Sequence, residues 1–121
     1  SGNLTGQKNN CLKNKIMKSF EKLIGKKVIV RSYGAGVFLG TLNEVEPCGD
    51  KLMVELLNDR KLWHWEGACA VQQLAEDGVK EPSNCKFTKF VDQEIISGVM
   101  EIIPATDEAI KSIEEVKVWE R

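Results

Sequence analysis

Apolar positions recur with two different periods along this chain. Between residues 12 and 24 they fall at Leu12, Ile16, Met17, Phe20, Leu23 and Ile24, steps that line one face of a helix, with lysines 13, 15, 18 and 22 over much of the rest. Gly25 follows as a helix stop. The period then shortens. Residues 27–33 (KVIVRSY) are β-branched and alternate, so they read as a strand. Gly34-Ala35-Gly36 is a tight bend, and residues 37–45 (VFLGTLNEV) read as the returning strand, with Gly40 marking a bulge or a close approach. Pro47 to Asp50 is a turn, residues 51–57 (KLMVELL) a third strand, residues 58–60 a second turn, and residues 61–65 (KLWHW) a fourth strand. An antiparallel meander is the expected result.

The longer period returns over residues 68–76, which read as a helix with Val71, Leu74 and Ala75 inward and Gly78 at its end. Residues 79–89 (VKEPSNCKFTK) read as a loop. Residues 93–103 supply one or two further strands, and Thr106 followed by Asp107 and Glu108 reads as a capped entry to a helix reaching about residue 115. Trp119 is expected to dock the tail. The fold class that follows is α+β: one domain with an antiparallel sheet or meander and N-terminal, middle and C-terminal helices. Residues 1–10 are polar and expected to fray, leaving residues 11–121 as a single α+β ligand-binding domain.

Composition bounds this picture. A chain of 121 residues and 13.6 kDa has the size of one domain. Such a chain buries roughly two-thirds of its unfolded surface, which supports one modest core and leaves little room for an enclosed cleft. A large ligand site is then expected to draw on a second subunit. No apolar run approaches the ~20 residues of a membrane span, and the opening SGNLTGQKNN lacks the apolar stretch of a secretion signal, so no membrane association is expected.

The net charge of −1 conceals an asymmetry. Residues 1–31 carry eight basic side chains against Glu21 alone, a net +7, whereas residues 44–121 carry nine basic and 17 acidic ones, a net −8. The basic part suits a phosphate-bearing ligand, a nucleic acid or the acidic part of another subunit; it also fits a solvated amphipathic helix. A homodimer or higher homo-oligomer is expected from the size limit and the opposed charges.

The residue types of catalysis are sparse. Cys11, Cys48, Cys69 and Cys85 form no Cys-x-x-Cys pair and His64 is the one histidine, so no metal site and no cofactor are expected, and the thiols read as reduced, some of them core fillers. There is no phosphate-binding loop, dinucleotide fingerprint or nucleophile elbow, and no catalytic residue is assigned. Three segments suggest binding instead. Arg31, Ser32, Tyr33, Gly34, Ala35 and Gly36 join a cation, two hydroxyls and an open backbone turn whose amides can meet phosphate oxygens. Arg60 can hold phosphate bidentately, and Trp63 or Trp65 can stack on a base, although tryptophans on a strand also serve as core. Ser83, Asn84 and Phe87 offer polar and aromatic contacts on a loop, and an asparagine amide can read the edge of adenine.

The segments RSYGAGVFLGTL, LWHWEGA, GVKEPSNCKF and MEIIPATDEAIKSIEEVKVW resemble the Thoeris anti-defence protein family, first type, of bacteriophages, over about residues 26–119. The resemblance implies a protein that captures a cyclic ADP-ribose isomer, the Thoeris immune messenger, without degrading it, so that the host effector stays off. It further implies a homo-oligomer acting in the cytoplasm of the infected bacterium, with cyclic oligonucleotides as a further ligand class. In those terms Arg31 with residues 32–36 would meet phosphate and ribose, Arg60 would be a second phosphate clamp, Trp63, Trp65 or Phe87 would stack on adenine, and Ser83 and Asn84 would give polar recognition. Two other readings remain: an enzyme that modifies or cleaves the same nucleotide, with His64 or an acid as base, and a small β-barrel that binds nucleic acid. The pI of about 5.9 weighs against the last, and no DNA or RNA partner is expected.

Overall fold

The computed structural model describes residues 18–65 and 70–119. The expectations placed on residues 1–17 and 66–69, including the frayed start, the first half of the N-terminal helix, Cys11 and Cys69, lie outside the described residues. Residues 18–21 are helical, and turns lead from them to the sheet.

Five antiparallel strands follow: β1 (Lys27–Ser32), β2 (Gly36–Cys48), β3 (Lys51–His64), β4 (Lys86–Phe87) and β5 (Val91–Pro104). Between β3 and β4 lie α1 (Val71–Asp77) and a 3-10 turn (Pro82–Asn84), and α2 (Asp107–Glu114) follows β5. The α+β reading holds, with three helical segments around one antiparallel sheet. Two details differ from expectation. The third and fourth strands are one continuous β3, because Asn58, at φ 49°, takes up the irregularity as a bulge-like kink and no chain reversal occurs. Residues 91–104 form a single strand, the simpler of the two outcomes expected there. The predicted loop at 79–89 contains the two-residue β4, which pairs Leu62 with Phe87 and His64 with Lys86.

The order β2-β1-β5-β3-β4, with β2 also paired to β3, closes four of the strands into a ring. β2 is long enough to serve two neighbours: its first half runs beside β1 (Ser32 opposite Gly36, Lys27 opposite Thr41), and the rest beside β3 (Leu42 opposite Leu56, Cys48 opposite Lys51). β5 completes the ring, pairing with β3 through Leu56–Glu94 and with β1 through Ile29–Ile103.

Alternation along the strands separates two apolar clusters. Val28, Val30, Phe38, Leu42, Val45, Val54, Leu56, Ile96 and Val99 face inward, and Phe20 and Leu23 pack against them. The intervening Ile29, Val37 and Leu39 face outward and are covered by Leu74 and Ala75 of α1, Ile113 of α2, Val79, Phe87 and Val116. α1 ends at Gly78, whose φ of 73° suits glycine; a Cβ there would lie 1.9 Å from Ser112 Oγ, so the two helices meet where no larger residue fits. At the start of α2, Thr106 Oγ1 accepts from the Ala109 amide (3.1 Å), the N-cap expected from the sequence, and it also donates to the Glu76 carbonyl (2.6 Å), which ties α1 to α2.

Candidate functional site

The aromatic residues at the end of β3 do not share one fate. Trp63 follows buried Leu62 and therefore points outward, where it is 54% exposed. Its ring lies 4.8 Å from that of Trp119, tilted by 41°. The tail is brought there by backbone contacts: Val118 bridges to Phe87, and the Trp119 amide donates to the Phe87 carbonyl (2.9 Å). Lys86, beside Phe87, holds its ammonium 5.6 Å from the Trp63 centroid and 5.3 Å from that of Trp119. Trp65 lies just past the end of β3 and packs against the helix-covered cluster instead.

A groove of about 520 Å³ runs along the same tail, lined by Pro82, Ser83, Cys85, Glu115, Lys117, Val118 and Trp119. The 3-10 turn presents Ser83 to it; Asn84 is exposed on that turn but does not line the groove. Thus Trp63, Ser83, Lys86 and Trp119 form one continuous surface. Lys86, Lys117 and Trp119 were missed as site residues because only the antiparallel β3–β4 pairing and the returning tail bring Lys86 and Trp119 beside Trp63 and set Lys117 along the groove. The signal available was modest: two lysines, each one or two residues from an aromatic.

Two expected site residues are core instead. Arg60 is 1% exposed: Nε donates to the Thr88 carbonyl (2.8 Å), and Nη1 donates to the carbonyls of Ile113 (3.0 Å) and Val116 (2.8 Å) at the end of α2. Phe87 and Phe90 flank the guanidinium at 5.3 and 4.8 Å. Burial pulls its pKa below the ordinary value, and the nearby Glu114 carboxylate opposes that shift. Nη2 has no partner among the described residues, but it too is buried, so the guanidinium offers no face to a phosphate. Phe87 is fully buried and offers no face to a base.

The β1–β2 turn forms a separate surface. Arg31 pairs with Glu101 at 2.6 Å, and Glu101 also accepts from Gln72 (3.0 Å). Ser32 is buried and donates to the Ser97 carbonyl (2.6 Å). Tyr33 and Gly34 are exposed, Ala35 packs against the inner cluster, and the Lys61 side chain passes close to Gly36. These contacts run to β5, α1 and Lys61, so the turn and the tryptophan pair are two patches. His64 is exposed at the end of β3.

The core of the sheet holds an unusual carboxyl. Asp59 is fully buried, and neither of its oxygens has a donor among the described residues. It packs on Gly40, where a Cβ would come within 2.5 Å of the Asp59 Cβ. Burial above all, and then the neighbouring Glu94 carboxyl, push its pKa from 3.8 to about 8. The group is therefore a neutral acid at pH 7, which is how a carboxyl can sit in this core. Among the described residues, no group of three His, Cys, Asp or Glu is placed to hold a metal ion, and no helix is long and apolar enough to cross a membrane. Cys48 is an exposed thiol outside any disulfide, and Cys85 is a buried one whose Sγ donates to the Glu81 carbonyl (3.4 Å).

Residues 25–113 match the family described as "Domain of unknown function (DUF6948)". The chain belongs to this family. No curated protein and no solved structure matches it. The matched DUF6948 span runs from the turn before β1 to the last turn of α2, so Trp63, Ser83 and Lys86 fall inside it, whereas Lys117 and Trp119 lie beyond its end.

Proposed function

We propose that this DUF6948 protein is a nucleotide-binding module that captures a cyclic ADP-ribose isomer and holds it unaltered, the role implied by its resemblance to the phage anti-Thoeris family. The observation that carries the reading is the exposed Trp63–Trp119 pair with Lys86 across it, opening onto a groove of about 520 Å³. Ligand sites commonly measure ~300–1,000 Å³ and combine apolar walls with a few convergent polar groups. Here an adenine ring stacks on an indole face and displaces the lysine ammonium, which then meets the pyrophosphate on its flexible stem. Lys117 offers a second cation, and Ser83 and Glu115 offer partners for ribose hydroxyls. A ligand of about 35 non-hydrogen atoms at ~0.3 kcal/mol each reaches roughly −10 kcal/mol, a Kd of tens of nanomolar. A cyclic ligand also loses little conformational freedom on binding.

The protein would act in the cytoplasm of the infected bacterium as a homo-oligomer, which light scattering tests: one chain's mass at every concentration contradicts it. The function itself is tested by incubating purified protein with the cyclic nucleotide, denaturing the complex by heat and assaying what is released. Intact nucleotide, bound stoichiometrically, supports capture. A converted product at substoichiometric protein would replace this reading with an enzyme.

A second reading has one observation in its favour. Closure of β1, β2, β3 and β5 into a small ring is an architecture open to nucleic-acid binders, which combine basic grooves with stacking aromatics. A salt-titrated shift assay with single-stranded DNA and RNA separates the two, since capture of a mononucleotide-sized ligand predicts no shift.

A further inference from the structure

Past Leu42, β2 leaves β1 behind and continues beside β3 alone. Glu44 and Glu46 lie on this stretch, both exposed, and Glu44 stands directly opposite Glu55. Like charges in that register repel. Glu55 accepts from the Asn43 and Gln93 amides, at 3.0 and 3.1 Å, which bring no positive charge. Lys51, at the hairpin turn, pairs with Asp50 (3.3 Å). Among the described residues Glu44 and Glu46 therefore have no ion-pair partner. Beside them Ile95 is 62% exposed at a shallow hollow of about 60 Å³.

A basic strip lies next to this acidic one. The chain enters β1 along the same edge of β2: the Gly25 amide donates to the Leu42 carbonyl (2.7 Å) and the Leu42 amide to the Lys26 carbonyl (3.0 Å), two residues before Glu44. Over residues 18–26, Lys18, Lys22 and Lys26 are exposed against Glu21 alone, and none of the three has an ion-pair partner among the described residues. Ile24 within this strip is 41% exposed. A foreign basic partner would neutralise the glutamates and leave the neighbouring lysines unmatched. A second copy matches both. A two-fold axis near Leu42 lays the basic strip of one copy on the acidic strip of the other and repeats the contact in reverse, whereas strips on opposite sides of the molecule would generate a ring or an open filament.

We propose that the protein forms an isologous dimer through this surface, with Lys22 and Lys26 of each protomer against Glu44 and Glu46 of the other, and Ile24 beside the Ile95 hollow. The proposal deepens the homo-oligomeric state already proposed and rests on it. Glu55 is eight residues from Trp63 along β3, roughly 25 Å of strand, so association and nucleotide capture are separate readouts.

The test is a charge swap on the full chain, read by analytical ultracentrifugation. The wild type should sediment as two chains at low salt, with a dissociation constant that rises at least tenfold between 50 and 500 mM sodium chloride. E44K/E46K and K22E/K26E, each alone, should sediment as one chain, because each sets like charges across the axis. Mixed in equal amounts they should form a two-chain species, because the reversed charges then face each other. In the wild type, zero-length carbodiimide coupling of mixed nitrogen-15-labelled and unlabelled chains should give Lys22 or Lys26 joined to Glu44 or Glu46 in peptides of mixed label. A wild type of one chain at every concentration would overturn both this dimer and the homo-oligomeric state. A wild-type dimer that persists in both variants, a mixture that stays monomeric, or couplings confined to single-label peptides would overturn this surface and leave oligomerisation standing. The salt dependence and the coupling decide the matter even if a variant fails to fold.

Discussion

Trp63 and Phe87 lie on paired strands, yet substitutions there should act on different quantities. Trp63 is half exposed, so Trp63→Ala should leave the midpoint of urea denaturation nearly unchanged while weakening nucleotide affinity. Base stacking is worth ~1–3 kcal/mol, which corresponds to about a 5- to 150-fold rise in Kd by calorimetry. An unchanged Kd would remove the tryptophan pair from the site. Asp59 supports a prediction about pH. Its folded pKa of about 8 lies above its unfolded value of 3.8, so between those limits the folded state holds a proton that the unfolded chain has released. Stability from this group is complete below about pH 4 and is lost as pH rises toward 8, with a slope approaching about 1.4 kcal/mol per pH unit. Asp59→Asn should flatten that slope and be more stable than the wild type at pH 8; parallel pH profiles between pH 5 and 8 would contradict the neutral acid. Neither fate was legible at the residue level. An Asn-Asp-Arg run reads as a turn because buried Asp and Arg are rare, and only the kink at Asn58 lets the strand continue through them.

At the scale of elements, much of the fold was legible where one principle dominates. The alternation of β1 and the Thr106 cap both appear as read, because each depends on neighbours a few residues away. What escaped depends on distant partners: the ring closure uses β1–β5 pairing across some 70 residues, and α2 is finished by a side chain from β3. That last contact yields a prediction about Arg60. Arg60→Met keeps bulk but leaves the Thr88, Ile113 and Val116 carbonyls without their donor. Orphaned buried acceptors cost ~1–3 kcal/mol each, so a total loss of roughly 3 kcal/mol or more is expected in urea denaturation. Nucleotide affinity of the fraction that remains folded should be unaltered. A variant of wild-type stability with weakened affinity would instead restore Arg60 as a phosphate clamp.

At the scale of the whole molecule, the two apolar clusters are opposite faces of the same strands. On β1, Val28 and Val30 face the ring interior while Ile29 between them faces the helices; on β2, Phe38 and Leu39 divide in the same way. Neither cluster can loosen without moving the strands that support the other, so the domain should melt as one unit although its apolar residues form two separate layers. Ile96→Ala cuts into the inner cluster and Leu74→Ala into the helix-covered one, each at a site at most 3% exposed, and each should cost ~2–5 kcal/mol. The measurement is thermal unfolding followed by two probes. Tryptophan fluorescence weights the helix-covered side through Trp65, and far-ultraviolet circular dichroism weights the sheet. Coincident midpoints are expected in the wild type and in both variants, with each variant lowering both probes by the same amount. If Leu74→Ala shifted the fluorescence midpoint and left the sheet signal in place, the helices would be a separable layer. The groove would then be anchored to a part of the molecule that can melt on its own, because α2 leads directly into the tail that carries Lys117 and Trp119.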